Sequence, residues 1–265
     1  MSNINMNIIN TENLDISYGN LDIVKGLNLN IPKGKITTII GANGCGKSTI
    51  LKTLARILEP KSGAIYIDGK DIKKQDSKEI AKVMAVLPQS PQAPNGLLVE
   101  ELVAYGRFPH QSGFGKLQKE DREIINWALE VTGMKEFKSR PIEALSGGQR
   151  QRVWISMALA QQTDILLLDE PTTYLDLAHQ LEILELLKDL NEKQNRTIVM
   201  VIHELNNAAR FADYMVGVKE GNIVCDGSPD EVMTKENLKV LFNIDAEIVK
   251  DPRENKPVCI TYDLL

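Results

Sequence analysis

Long apolar runs are missing from this 265-residue sequence. Its most hydrophobic stretches, Ile36-Thr37-Thr38-Ile39-Ile40 and Ile165-Leu166-Leu167-Leu168, fall far short of the roughly 18 residues a membrane helix needs, so the polypeptide is not expected to span a bilayer by itself. Cysteine is scarce. Cys45, Cys225 and Cys259 are scattered, odd in number and without metal-site spacing, which argues against a disulfide framework and leaves free thiols. Neither sign of charge dominates: 31 basic against 36 acidic side chains give a net charge of -5, and no whole-chain field draws the protein to nucleic acid, which is not an expected partner. Met1 to Asn10 shows neither a basic leader nor an apolar stretch with a small-residue cleavage site, so nothing suggests export and the cytosol is the expected compartment. Internal repeats and low-complexity tracts are absent as well. What remains, 43% hydrophobic and 25% charged, is the composition of an ordinary globular protein, read as one large domain with a subdomain.

Gly41-Ala42-Asn43-Gly44-Cys45-Gly46-Lys47-Ser48 fills every fixed position of the G-x-x-x-x-G-K-[ST] phosphate loop. The context suits it: Ile36 to Ile40 reads as a strand, and Ile50, Leu51, Leu54, Ile57 and Leu58 recur at helical spacing until Pro60. The loop, Asn43 and Cys45 included, is expected to cradle ATP. Gly41, Gly44 and Gly46 let backbone amides approach phosphate without a Cβ in the way, and the following helix turns its positive end toward them. Lys47 would meet the β and γ phosphates, and Ser48 would offer its hydroxyl to Mg2+, with Thr49 in support. An alkylating agent on Cys45 would block the loop, although the residue also reads simply as a small loop side chain.

Asp169-Glu170 ends an apolar strand, which places two carboxylates at a sheet edge. Asp169 is assigned to Mg2+ and Glu170 to polarising the attacking water. His203 follows the strand Val199-Met200-Val201-Ile202 and would contact the γ phosphate from the C-terminal edge of a parallel sheet. Gln89 opens a turn-rich stretch and can reach both Mg2+ and the attacking water. Tyr18, before a glycine turn, could stack on adenine. Ser146-Gly147-Gly148-Gln149 begins a second anion-binding helix start, with Ser146 as its N-cap. Two phosphate sites for one nucleotide are reconciled by a head-to-tail homodimer, in which this loop closes on ATP held by the partner's Gly41 to Ser48.

The segment from about 90 to about 162 is dominated by helical periodicity, with Ile124, Trp127, Ala128 and Val131 marking one helix face, and reads as a helical insertion into the nucleotide-binding core. The core resumes with a strand at Ile165 to Leu168, a helix at Leu181 to Leu190, a strand at Thr197 to Ile202, a helix at Ala208 to Ala212 and a hairpin from Tyr214 to Val224.

Together Gly41 to Ser48, Gln89, Leu145 to Gln149, Ile165 to Glu170, Leu175-Asp176 and His203 resemble the ATP-binding subunits of ABC transporters, from about Leu14 to Asp230. The resemblance implies an α/β fold, a P-loop NTPase core with an N-terminal antiparallel β subdomain and an inserted helical subdomain. The ATPase domain would cover 1–245 and a C-terminal extension 246–265. Tyr105-Gly106-Arg107-Phe108-Pro109-His110, Gln151 to Gln161 and Glu170 to Asp176 look like the importer branch for ferric siderophores, haem and cobalamin, most of all the ferric hydroxamate uptake ATPases. Thr173-Tyr174-Leu175-Asp176 stands where Ser-Ala-Leu-Asp is common, and Glu204 where Asp is frequent. That likeness implies ATP and Mg2+, integral-membrane permease subunits, an indirect substrate-binding lipoprotein and a peripheral place on the cytoplasmic face of the cell membrane. A haem or cobalamin importer, a soluble ATPase of iron-sulfur assembly and a non-enzymatic regulatory module stay open at this point.

Overall fold

The computed structural model describes residues 7–111, 116–173 and 175–265. Two compact units are formed, Met1–Gln75 with Asn191–Leu265, and Asp76–Leu190.

In the first unit β1 (Asn7–Tyr18), β2 (Leu21–Leu27) and β3 (Asn30–Pro32) begin an antiparallel sheet. Leu14 and Ile16 alternate inward along β1 while Asp15 and Ser17 face out, the period-2 pattern of a sheet buried on one face. The Thr11 hydroxyl, drawn into this core, accepts from the Leu29 amide at 2.8 Å and donates to the Leu27 carbonyl at 3.0 Å, so its burial is hydrogen-bonded. Next come β4 (Ile36–Ile40), buried at every position, and α1 (Lys47–Leu54). The helix stops well before Pro60, contrary to the expected pattern. Arg56 turns left-handed at φ 57°, its amide bonds the Thr53 carbonyl and the Ile57 amide bonds that of Lys52. This paired closure satisfies the last carbonyls of the helix and turns Ile57 out to 61% exposure. β5 (Ser62–Ile67) and β6 (Lys70–Asp71) complete the antiparallel sheet in the order β2-β1-β5-β6, with β3 on β1.

The second unit contains α2 (Ser77–Val83), β7 (Met84–Leu87), α3 (Val99–Tyr105), α4 (Lys119–Val131), α5 (Gly147–Ala160) and β8 (Ile165–Asp169), followed by α6 (Leu177–Gln194). β7, unanticipated, pairs in parallel with β8, Leu87 opposite Leu168. α3, α4 and α5 pack on one another. The buried face of α4 is Asp121, Ile125, Ala128 and Leu129; Ile124, Trp127 and Val131 lie half-buried on its flank, so the expected face is rotated. A buried charge causes the rotation. Arg107 donates to Asp121 Oδ1 at 2.8 Å and to the Ala160 carbonyl at 2.8 Å, with side chains only 6% and 10% exposed, and Asp121 also accepts from the Gln118 amide. Gly106 sits where a Cβ would lie 2.2 Å from the Met157 carbonyl, so α3 can approach α5 closely.

The chain then returns to the first unit with β9 (Thr197–Val201), α7 (Leu205–Phe211), β10 (Tyr214–Lys219), β11 (Asn222–Gly227), α8 (Pro229–Val232), α9 (Lys235–Phe242), β12 (Ile244–Lys250) and β13 (Pro257–Leu264). β4 lies between β9 and β10 in parallel register, and β11 adds an antiparallel edge. β12 and β13 form a hairpin docked on α7: the Asn206 side chain accepts from the Cys259 amide and donates to its carbonyl, at 2.9 and 3.0 Å. Among the described residues no helix is long and apolar enough to cross a membrane.

Arg107→Ala strands Asp121 inside the helical unit and is expected to cost about 3–5 kcal/mol, whereas Lys135→Ala, which loses only the exposed pair with Glu130, should stay within about 1 kcal/mol. Urea unfolding midpoints measure both. Burial alone would raise the Asp121 carboxyl, but Arg107 and the Gln118 amide hold it below the usual carboxylate range. Its stabilisation is therefore present in full above an unfolded value of about 3.9 and is lost as pH falls through the lower folded value, a dependence that Arg107→Ala should abolish.

Candidate nucleotide-binding site

The phosphate loop leaves the buried C-terminal end of β4 and enters α1. Gly41 has φ 150°, and a Cβ there would lie 2.1 Å from the Val218 carbonyl and 2.8 Å from Cys45 Sγ, so no larger residue fits. Gly44, at φ 76°, faces open space. Gly46, at φ 107°, is the N-cap of α1, and the first bond of that helix runs from Ile50 to the Gly46 carbonyl. The amides of Lys47, Ser48 and Thr49 thus belong to the helical turn whose donors point out of its N-terminus, where an anion is favoured. Ala42, Asn43 and Gly44 are exposed at the crest. The Lys47 ammonium, on a residue 5% exposed, donates to the Gly41 and Ala42 carbonyls at 2.8 and 2.9 Å. Cys45 is buried, which limits access to its thiol, and its carbonyl takes the Gly221 amide at 2.8 Å, which pins the loop from behind.

His203 leaves the sheet at the same end. β4 and β9 run parallel with Ile39 opposite Val201, and the Ile202 amide reaches the Ile39 carbonyl, so Gly41 and the exposed His203 emerge side by side. Tyr18 closes β1 at its turn with β2 and is 48% exposed.

In the second unit, Gln89 and Glu170 follow the ends of the parallel pair β7 and β8 and meet: Gln89 Nε2 donates to Glu170 Oε2 at 2.7 Å. Thr173 Oγ1 donates to the same oxygen at 2.9 Å. Glu170 is 8% exposed and sits at φ 53°, a left-handed conformation that a glutamate adopts only where its surroundings hold it; Asp169, 2% exposed, precedes it. The sequence singled out Gln89 and Glu170, which the structure brings together, but not Thr173, whose hydroxyl three positions on was the available signal. Tyr174 lies outside the described residues.

Ser146 caps α5 as expected, accepting from the Gln149 amide at 3.3 Å, and Gln149 Oε1 accepts from the Ser146 amide at 3.1 Å. Gln149 therefore shapes the loop through this reciprocal cap. Gly147 is open around its Cα, while a Cβ on Gly148 would lie 3.1 Å from the ring of His179, a residue that sequence reasoning did not single out. Asp176 Oδ1 accepts from both the His179 amide and Nδ1, at 2.9 and 2.8 Å, and these bonds hold the Asp176 carboxyl below the usual range.

Among the described residues no group of three or more His, Cys, Asp and Glu is arranged to hold a metal ion. Ser48 in the first unit and Gln89 and Asp169 in the second each carry an oxygen donor of the kind that suits Mg2+, which is bound through one or two carboxylates together with substrate phosphates rather than in an all-protein cage.

Residues 24–173 match the family model described as ABC transporter. The chain is 67% identical over 260 residues to the iron(3+)-hydroxamate import ATP-binding protein FhuC of Bacillus subtilis, covering 98% of this chain and 97% of that one. It is 50% identical to the petrobactin import ATP-binding protein FpuD of Bacillus anthracis, over 96% and 93% of the two chains. Among solved structures it is similar to a chain of an inward-facing ABC transporter assigned to the metal-chelate type, with a TM-score of 0.83, 31% identity and coverage of 96% and 97%.

Gly41→Ala should abolish nucleotide binding, because its Cβ collides with main chain. Gly44→Ala should cost about 1–2 kcal/mol of stability from its left-handed backbone and still bind. Thermal unfolding with titration of a fluorescent ATP analogue separates the two.

Proposed function

The chain belongs to the ABC transporter family of ATP-binding proteins, and from that membership we propose that it is the ATP-hydrolysing subunit of an importer for ferric siderophores of the hydroxamate type, acting through a separate permease. The near-full-length likeness to the hydroxamate import protein of B. subtilis carries the substrate reading. The chemistry rests on Glu170, a buried carboxylate held by Gln89 and Thr173 at the mouth of a parallel strand pair.

The ATPase domain spans 1–245, with 90–162 as its helical subdomain and 246–265 as an extension. Gly41 to Thr49 bind the phosphates, with Asn43 and Cys45 in the loop backbone and Lys47 meeting the terminal pair. Tyr18 takes adenine. Ser48, Gln89 and Asp169 are the donors for Mg2+, which when bound neutralises charge on the phosphate oxygens. Glu170 orients and polarises the attacking water, Gln89 holds that carboxylate in place, and His203 contacts the γ phosphate. Ser146, Gly147 and Gly148, with Gln149 locking the cap, complete the site of a second copy in a head-to-tail dimer. Closure of that dimer on ATP gates the permease through contacts around 90–107, and a lipoprotein delivers the chelate to the permease. The protein thus works peripherally on the cytoplasmic face of the cell membrane.

Glu170→Gln keeps the side-chain shape and loses the base. Turnover is expected to fall at least about 100-fold while ATP binding persists and a closed dimer accumulates in sedimentation; near-normal turnover would remove Glu170 from its role. Ser146→Arg should leave monomer ATP binding intact and abolish hydrolysis, whereas weakened monomer binding would refute the head-to-tail arrangement. A deletion strain should lose growth on ferric hydroxamates and keep growth on haem iron; the reverse pattern would reassign the cargo.

A further inference from the structure

Two glycines begin α5, and their surroundings differ. Gly147 has nothing within 4 Å of where a Cβ would stand, so its backbone is open to a ligand. Gly148 is covered: a Cβ would lie 3.1, 3.4 and 3.7 Å from Cδ2, Cγ and Nε2 of His179. The imidazole is thus laid against the Gly148 Cα. Its orientation is set from the other side, because Asp176 Oδ1 receives both the backbone amide and Nδ1 of His179. A carboxylate partner puts the proton on Nδ1.

Asp176 in turn ends the segment that Glu170 begins. The Glu170 end is pinned by Gln89 and Thr173. The Asp176 end is pinned by the Gln180 amide on its carbonyl, by the Gln180 side chain on the Leu175 carbonyl, and by His179. One imidazole therefore joins Asp176 to the start of α5.

We propose that His179 is a positioning residue: by packing on Gly148 while bonded to Asp176, it holds the Ser146–Gly148 helix start in one register with Asp176 at the start of α6. This rests on the reading that Ser146 to Gly148 serve ATP bound by a second copy. A helix start that contributes amides to a transferring phosphoryl group must be placed to a fraction of an ångström, and displacement by about 1 Å costs on the order of 100-fold in rate. The packing also explains the second glycine. Gly148 is needed for the ring above it, Gly147 for access.

The test uses the full-length chain assembled with its permease in proteoliposomes, and measures kcat and KM for ATP together with ATP-driven dimerisation in a Glu170→Gln background. His179→Ala is expected to lower kcat about 10- to 100-fold and weaken dimerisation, with monomer ATP binding unchanged. Gly148→Ala should do the same by pushing the ring aside, and the double variant should be no worse than the poorer single, because both changes break one contact. His179→Asn, which keeps a donor for Asp176, should recover part of the loss. The proposal is overturned if His179→Ala keeps kcat within about twofold, if the two effects multiply, or if monomer ATP binding falls with kcat. Should Ser146→Arg itself hydrolyse ATP normally, the dimer reading fails instead, and the two failures are distinguishable.

Discussion

Every residue of β4 is buried, and the strand is flanked in parallel by β9 and β10. Strands covered on both faces exclude charged side chains, β4 admitting no more polarity than the buried hydroxyls of Thr37 and Thr38, so charged function is confined to where they end. That constraint organises the phosphate loop and its surroundings. The chain turns at Gly41, where a Cβ would lie 2.1 Å from the Val218 carbonyl, and His203 leaves the neighbouring strand at the same edge. The strand pair β7 and β8 repeats the logic, with Gln89 and Glu170 emerging together. Rigid apolar strands do the positioning, and short loops carry the chemistry.

Backbone strain and buried charge concentrate at a few points. Glu170 adopts a left-handed backbone while two donors meet on one of its oxygens, so its carboxylate is both constrained and aimed. Arg107 and Asp121 perform a structural counterpart in the helical unit. Their pairing, extended to the Ala160 carbonyl and the Gln118 amide, sets the rotation of α4 and ties the end of α3 to the end of α5. In the first unit, Asn206 zips the C-terminal hairpin to α7, the helix that begins just after His203. The segment beyond 245 is thereby joined to an element of the cassette rather than trailing from it.

Legibility in the sequence followed the range of the interactions. Gly41 to Ser48, Asp169-Glu170 and Ser146 to Gln149 could be read because each is contiguous and its chemistry is local: glycine torsions, a strand end, a cap. The end of α1 could not, since apolar spacing runs on through Leu58 while Arg56 and the Lys52 carbonyl close the helix at Leu54. The face of α4 was misjudged because Asp121 counts as polar by composition and is drawn inward by Arg107. β7 escaped notice as a short apolar run between turn signals. Thr173 offered only a hydroxyl three positions after Glu170 and His179 nothing distinctive by type, and it is their neighbours in space that single them out.

By itself the sequence determined that the chain handles a nucleotide, that it carries a complete phosphate-loop motif, and that its apolar runs are short. These follow from torsional freedom, charge and apolar run length, properties that reside in a few adjacent residues. Tertiary structure alone decided that Glu170 is held by Gln89 and Thr173, that Asp121 lies inside, and that the ring of His179 rests on Gly148. Each of these joins residues separated along the chain. Such contacts depend on which faces the packed strands and helices turn toward one another, and no periodicity along a single segment encodes that choice.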